Sequence, residues 1–186
     1  RDYKNNKLAF KNTVYWRVIK SQFSDPAGEI GLGAAQDNDD DTLVLGEKFQ
    51  ARVICSKTLA IKSTAEYRFE IYRPEDYAAA DPTGTQSLRQ TLTVGVEPEL
   101  TFGKLSVTPQ VRLIHSKYDI NDDDPSLAVR GTFVSQRAET KPAGNLAVRW
   151  HLREGLTLQG DFGRSVRQPK FSELFGDQGF VLGNPQ

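Results

Sequence analysis

The sequence predicts an all-β chain, an antiparallel up-and-down meander of about seven long strands forming a section of transmembrane β-barrel wall. Three observations predict it. Apolar and polar residues alternate with period two, not 3.6, through most of the chain. Several alternating runs reach about fourteen residues, where strands of soluble domains usually have about five or six. Tight and long connections alternate strictly between these runs. In a meander that order collects the tight turns on one rim and the long polar loops on the other, as in barrels that cross a membrane.

In residues 8–20, Leu8, Phe10, Val14, Trp16 and Val18 share a face opposite Lys11, Thr13, Tyr15 and Arg17. A polar segment, 21–42, holds the acidic run Asp37 to Asp41 and is expected to be a long loop. Residues 43–57 alternate again, with Leu43, Leu45, Phe49, Ala51, Val53 and Cys55 on one face. Residues 59–73 are the clearest run: Ile61, Ala65, Tyr67, Phe69 and Ile71 oppose Lys62, Thr64, Glu66, Arg68 and Glu70. A second long loop is expected over 74–86. Leu88, Leu92, Val94, Val96, Leu100 and Phe102 then define a strand, and Leu105, Val107, Val111 and Leu113 the next. The third long segment, 119–144, contains Asp122 to Asp124; its stretch 132–135 is read as strand extending beyond the membrane. Leu146, Val148, Trp150 and Leu152 mark a sixth strand and residues 156–162 a seventh. A tilted strand of about fourteen residues spans roughly 30 Å, enough for an apolar band of about 25 Å.

Turn chemistry fixes the parity of the hairpins. Gly103-Lys104 reads as a two-residue loop with glycine first, which pairs Phe102 with Leu105 and Val94 with Leu113. That register sets Pro98 opposite Pro109, where neither can donate, so a bulge or distortion is expected there. Arg153-Glu154-Gly155 reads as a three-residue loop with Gly155 left-handed, Leu152 opposite Leu156 and Trp150 opposite Leu158. At the first hairpin an odd-length turn around 57–59 keeps the apolar faces together. It sets Arg52 directly or diagonally across from Glu66, and Lys48 across from Glu70.

Composition narrows the function classes. A net charge of +0 gives no footprint for nucleic acid. The single Cys55 excludes an internal disulfide and reads as a small apolar strand residue. The chain has no Met, signal peptide or apolar run long enough for a membrane helix, and is expected to be a fragment of a larger protein. A mean hydropathy of −0.52 looks soluble but does not exclude a membrane barrel, in which only alternate residues face lipid. No Ser/His/Asp order, paired-carboxylate site or phosphate loop stands out, so no enzyme is expected.

The last stretch carries the most specific signal. After Leu156–Phe162 come Arg167-Gln168-Pro169, then Phe171-Ser172-Glu173-Leu174-Phe175-Gly176, then Gly183-Asn184-Pro185. Pro169 ends ladder donation, and the glycines punctuate a loop. This order resembles the mid-barrel signature of TonB-dependent outer-membrane receptors, on the positions Arg167, Pro169, Glu173, Leu174, Phe175, Gly176, Gly183, Asn184 and Pro185. The resemblance implies that residues 1–186 are part of a barrel of about 22 strands, without its plug. It implies active uptake of a scarce nutrient such as a ferric siderophore or cobalamin across the bacterial outer membrane. The implied partners are outer-membrane lipid, the TonB complex acting through the plug, and a small-molecule ligand; no cofactor is implied.

Two readings compete: a passive porin-like channel, and a soluble β-sandwich that binds a partner. Asp37–Asp41 and Asp122–Asp124 are candidate calcium ligands, but Thr42 stands where an EF-hand turn needs glycine, which favours solvated loop acids. His115 and His151 are weak metal or haem candidates. Trp16, Tyr72, Tyr118, Phe10 and Phe102 are candidates for interfacial aromatic girdles. The concave face is expected to carry Lys62, Glu66, Arg68, Gln110, Arg112 and Arg149, and the convex face Ile61, Tyr67, Phe69, Val94, Val111 and Trp150.

Overall fold

The computed structural model describes residues 7–27, 29, 36–77, 86–119, 136–169 and 171. They form one antiparallel sheet in chain order: β1 (Leu8–Asp25), β2 (Gln36–Ile54), β3 (Leu59–Asp76), β4 (Ser87–Phe102), β5 (Leu105–Asp119), β6 (Gln136–Arg153) and β7 (Leu156–Arg164). The sheet curves into a half-barrel, and no second sheet packs on it among the described residues. The stretch 132–135 and Asp122–Asp124 lie outside the described residues.

The strands run further than hydrophobicity alone suggests. The acidic run Asp37–Asp41 is strand, not loop: it pairs with Lys20–Ser24 on one side and Arg73–Glu75 with its neighbours on the other. Polar side chains do not end a strand whose backbone is paired on both sides. As strand residues these acids point alternately to opposite faces, which dismantles them as a ligand cluster. Among the described residues no three His, Cys, Asp or Glu side chains are grouped to hold a metal.

Burial is inverted relative to a soluble domain. The apolar face is open, with Trp16 at 74%, Val111 at 55% and Trp150 at 48% exposed, while Phe10, Tyr67, Val94 and Phe102 are also exposed. Lys62, Glu66, Gln110 and Arg112 line a shared concavity on the other face, and Arg149 lines a second one. Two aromatics depart from the girdle expectation: Tyr72 and Tyr118 are buried on the concave side, because both fall on the polar parity of their strands. Cys55 is free and exposed at the turn after β2, not within a strand.

Each tight turn shows its chemistry. Gly103 has φ 58° and Gly155 φ 76°, conformations that favour glycine. Phe102 pairs with Leu105 and Val94 with Leu113. The ladder is interrupted between Val96↔Val111 and Leu100↔Val107 with no change of register, so the two prolines make a gap rather than a bulge. Across the gap Gln110 Nε2 donates to Glu97 Oε2 at 2.7 Å, a side-chain bond beside the missing backbone ones. At the last turn Arg153, not Leu152, pairs with Leu156, and the register shift between His151 and Arg153 leaves Leu152 as the extra residue; Trp150 still pairs with Leu158.

The first hairpin keeps the expected face parity with a different register. Ser56 and Thr58 share a hydroxyl contact of 3.1 Å, and Cys55 N donates to Leu59 O at 2.9 Å, closing the turn over 56–58. Arg52 therefore lies opposite Lys62, and Lys48 opposite Glu66 at 3.7 Å. The juxtaposed cations turn to β4: Arg52 meets Glu99 at 2.6 Å and Lys62 meets Glu97 at 3.6 Å. At their exposure such pairs contribute about 0–1 kcal/mol each and chiefly fix register.

β1 and β7 each pair on one side only, so both present open edges. With the apolar face uncovered as well, the chain expressed alone in water is expected to aggregate. Sedimentation at low micromolar concentration checks this; a soluble, cooperatively unfolding monomer would contradict the membrane-facing assignment.

Candidate functional site on the concave wall

Near the loop rim, alternation brings Arg68, Glu70 and Tyr72 of β3, Arg89 and Thr91 of β4, and Ser116 and Tyr118 of β5 onto the concave face. Register places Glu70 opposite Arg89 and Arg89 opposite Tyr118. The Arg89 guanidinium binds Glu70 in a two-pronged pair, Nε to Oε2 at 2.5 Å and Nη2 to Oε1 at 2.9 Å. Their side chains are only 6% and 7% exposed. Such a pair selects one arrangement, since each charge is tolerated only beside the other.

The chain beyond β7 caps this pair. β7 has 9 residues against 15 to 19 in the other strands. It ends where Gly163 lies against Gly144 O and Asn145, so close that a Cβ would fall 2.5 Å from Asn145 Oδ1. From Ser165 the chain leaves the sheet and crosses its concave face, lining one concavity with Gln110 and Arg112 and the next with Arg68 and Arg89. Gln168 accepts a hydrogen bond from Arg68 Nη2 and donates from Nε2 to Thr91 Oγ1 at 3.1 Å and Ser116 Oγ at 2.6 Å. Pro169 O accepts from Arg89 Nη1. Phe171 is buried, stacked on Tyr72 with ring centroids 5.0 Å apart and planes 3° apart, and the Arg89 guanidinium lies 4.7 Å from its ring centre. Arg68 Nε stands 3.3 Å from Glu70 Oε2 but makes no hydrogen bond.

Two glycines shape the wall below. Tyr15 crosses Gly46, where any Cβ would collide with its ring, and donates its hydroxyl to Glu66 Oε1 at 2.7 Å. Arg112 crosses Gly95 in the same manner, with its Cγ 3.0 Å from where a Cβ would stand.

Of the motif positions read from the sequence, Arg167 and Pro169 line this cavity. Glu173, Leu174, Phe175, Gly176, Gly183, Asn184 and Pro185 lie outside the described residues. Gln168 and Phe171, which make the anchoring contacts, stand between the motif positions, and the Glu70–Arg89 pair has no signature in the sequence. Only the register could have signalled that pair. His115 and His151 each contact a threonine across the ladder, Thr140 at 2.9 Å and Thr157 at 2.8 Å. The arrangement offers guanidinium, hydroxyl and amide donors around an open cavity, suited to holding polar groups in place.

A family model described as TonB dependent receptor-like, beta-barrel, matches residues 2–186. The chain belongs to the TonB-dependent receptor family. Among solved structures it is similar to one titled "Copper transporter OprC", with TM-score 0.73 and 18% identity, over 95% of this chain and 30% of that one. The chain thus spans about a third of that protein's length. No curated protein matches. In this receptor barrel the concave face is the lumen wall, and residues 165–169 with Phe171 form a strap held against it.

Removing the strap's amide anchor tests its role. Gln168→Ala removes one hydrogen-bond partner from Arg68 and from each of two hydroxyls, at an expected cost of about 1–3 kcal/mol confined to the strap. Faster tryptic cleavage after Arg164 or Arg167 in the parent receptor, with the barrel's unfolding midpoint nearly unchanged, is the expected result.

Proposed function

We propose that the chain is part of the barrel of an outer-membrane receptor that takes up a scarce nutrient, with energy relayed by TonB through a plug. The observation that supports this best is the inverted wall: large apolar side chains open on the convex face, and charged and amide side chains lining the concave one. Such a wall needs lipid outside and a polar filling inside. The family match supports transport rather than catalysis. The rim of long connections is the outer surface, so the strap lies at the lumen's outer mouth. We take a ferric siderophore or cobalamin as the nutrient class; the resemblance to a copper transporter supports the fold, at an identity too low to carry its substrate over.

The test is uptake by cells that carry or lack the parent gene, each with and without TonB. Labelled ferric siderophores, cobalamin and copper are supplied in turn under limitation. Uptake of one of them that needs both genes is expected. Uptake that needs the parent gene but not TonB would make the barrel a passive porin instead.

A further inference from the structure

The convex wall carries a polar pair in the middle of its apolar band. Asn12 of β1 and Glu47 of β2 fall on the outward parity of their strands, and both are exposed. Asn12 Nδ2 donates to Glu47 Oε1 at 2.9 Å. On β2, Leu43 and Leu45 lie towards the loop rim, and Phe49, Ala51 and Val53 towards the turn rim. On β1, Phe10 and Val14 flank Asn12. A carboxyl group at that depth is costly against lipid and is kept where something pairs with it. Its neighbours on this face are already engaged or out of reach. Tyr67 lies directly across from Glu47, but its hydroxyl goes to Gln90 at 3.2 Å. Lys20 and Arg73, the outward cations of β1 and β3, lie level with Asp41, six residues along β2, and Lys20 stands 3.4 Å from Asp41. One amide hydrogen of Asn12 and Oε2 of Glu47 therefore have no partner among the described residues.

We infer that the outer face of β1 and β2 is a contact surface for a second copy of the receptor, centred on Asn12 and Glu47. Two copies in one membrane share their orientation, so a two-fold axis relating them runs along the membrane normal. Across that axis each group meets what its own copy holds at the same depth. A lone acid would meet only another acid. Asn12 and Glu47 hold a donor and an acceptor side by side, so Asn12 of each copy donates to Glu47 of the other. Polar groups of this kind join membrane-spanning segments where apolar surface alone does not, because lipid chains are as apolar as the side chains. Val14 and Trp16, 76% and 74% exposed, and the Phe10–Phe49 ring pair at 5.7 Å surround the polar centre. This contact goes beyond uptake and is independent of what the receptor transports.

The test is photo-crosslinking of the full parent receptor in intact outer membranes, with p-benzoylphenylalanine in place of Val14. The control carries it in place of Phe162, which is outward and 83% exposed on β7, at the other end of the sheet. Position 14 is expected to give a light-dependent adduct of two receptor chains, and position 162 little of it. Glu47→Leu with Asn12→Leu should reduce the position-14 adduct about fivefold or more, although it makes the face more apolar. Glu47→Gln keeps the hydrogen bonds without the charge and should retain the adduct. Compact migration on unheated gels shows that each variant has folded. Equal adducts at positions 14 and 162, or a position-14 adduct indifferent to Glu47 and Asn12, overturns the inference. So does a position-14 adduct with a different protein, lost in Glu47→Gln, which would mark a partner that presents a cation. Crosslinking to lipid alone overturns it as well.

Discussion

Glu70→Ala is expected to destabilise the parent receptor by about 3–5 kcal/mol, the cost of leaving a buried charge unpaired. Arg89 is 6% exposed at its side chain, and its guanidinium is shared between Glu70, the Pro169 carbonyl and two aromatic rings. Without the carboxylate, it keeps its desolvation and loses its counter-ion. Arg89→Ala should cost a similar amount and also release Pro169 and Phe171, loosening the strap. Replacing both by apolar residues of similar volume should restore most of the loss. The measurement is the denaturant midpoint in detergent micelles, with loss of the compact form on unheated gels as a second readout. A single substitution costing under about 1 kcal/mol would mean that the pair is hydrated in the parent protein.

Val94→Arg should cost about 2–4 kcal/mol in lipid, whereas Thr93→Arg, one residue away, should cost little. Val94 sits mid-strand in β4 between Ala65 and Leu113, outward and 40% exposed. Thr93 faces the lumen cavity. The two variants add the same charge to the same strand at nearly the same depth, so the comparison isolates the face. Equal costs, measured by reversible unfolding into lipid vesicles, would overturn the assignment of inside and outside.

Much of the wall was legible because strand faces follow a local rule. Parity alone put Val94 outside and Arg112 inside; Tyr72 and Tyr118 were expected in a girdle from their place near strand ends, and the parity of their strands turns them inward instead. Turn glycines made the hairpin at Gly103 readable to the residue. The first hairpin was less so: its turn closes through Ser56 and Thr58 hydroxyls, which hydropathy does not register, and Lys48 rather than Arg52 met Glu66. The acidic run misled because a paired backbone tolerates polar side chains, so composition located a loop where the chain continues as strand.

The sequence by itself determined the meander, the seven strands and which face of each is apolar, and it pointed to the family whose model matches residues 2–186. The tertiary structure decided which residues stand side by side and where the strap lands. Gln168 bonds Arg68 across 100 residues of sequence, and Glu70 and Arg89 find each other across 19. Alternation is a property of neighbouring peptide units and is written in every pair of residues. Opposition across strands depends on where each turn closes, and contact between a strap and three strands depends on the curvature of the whole wall, which no local pattern encodes.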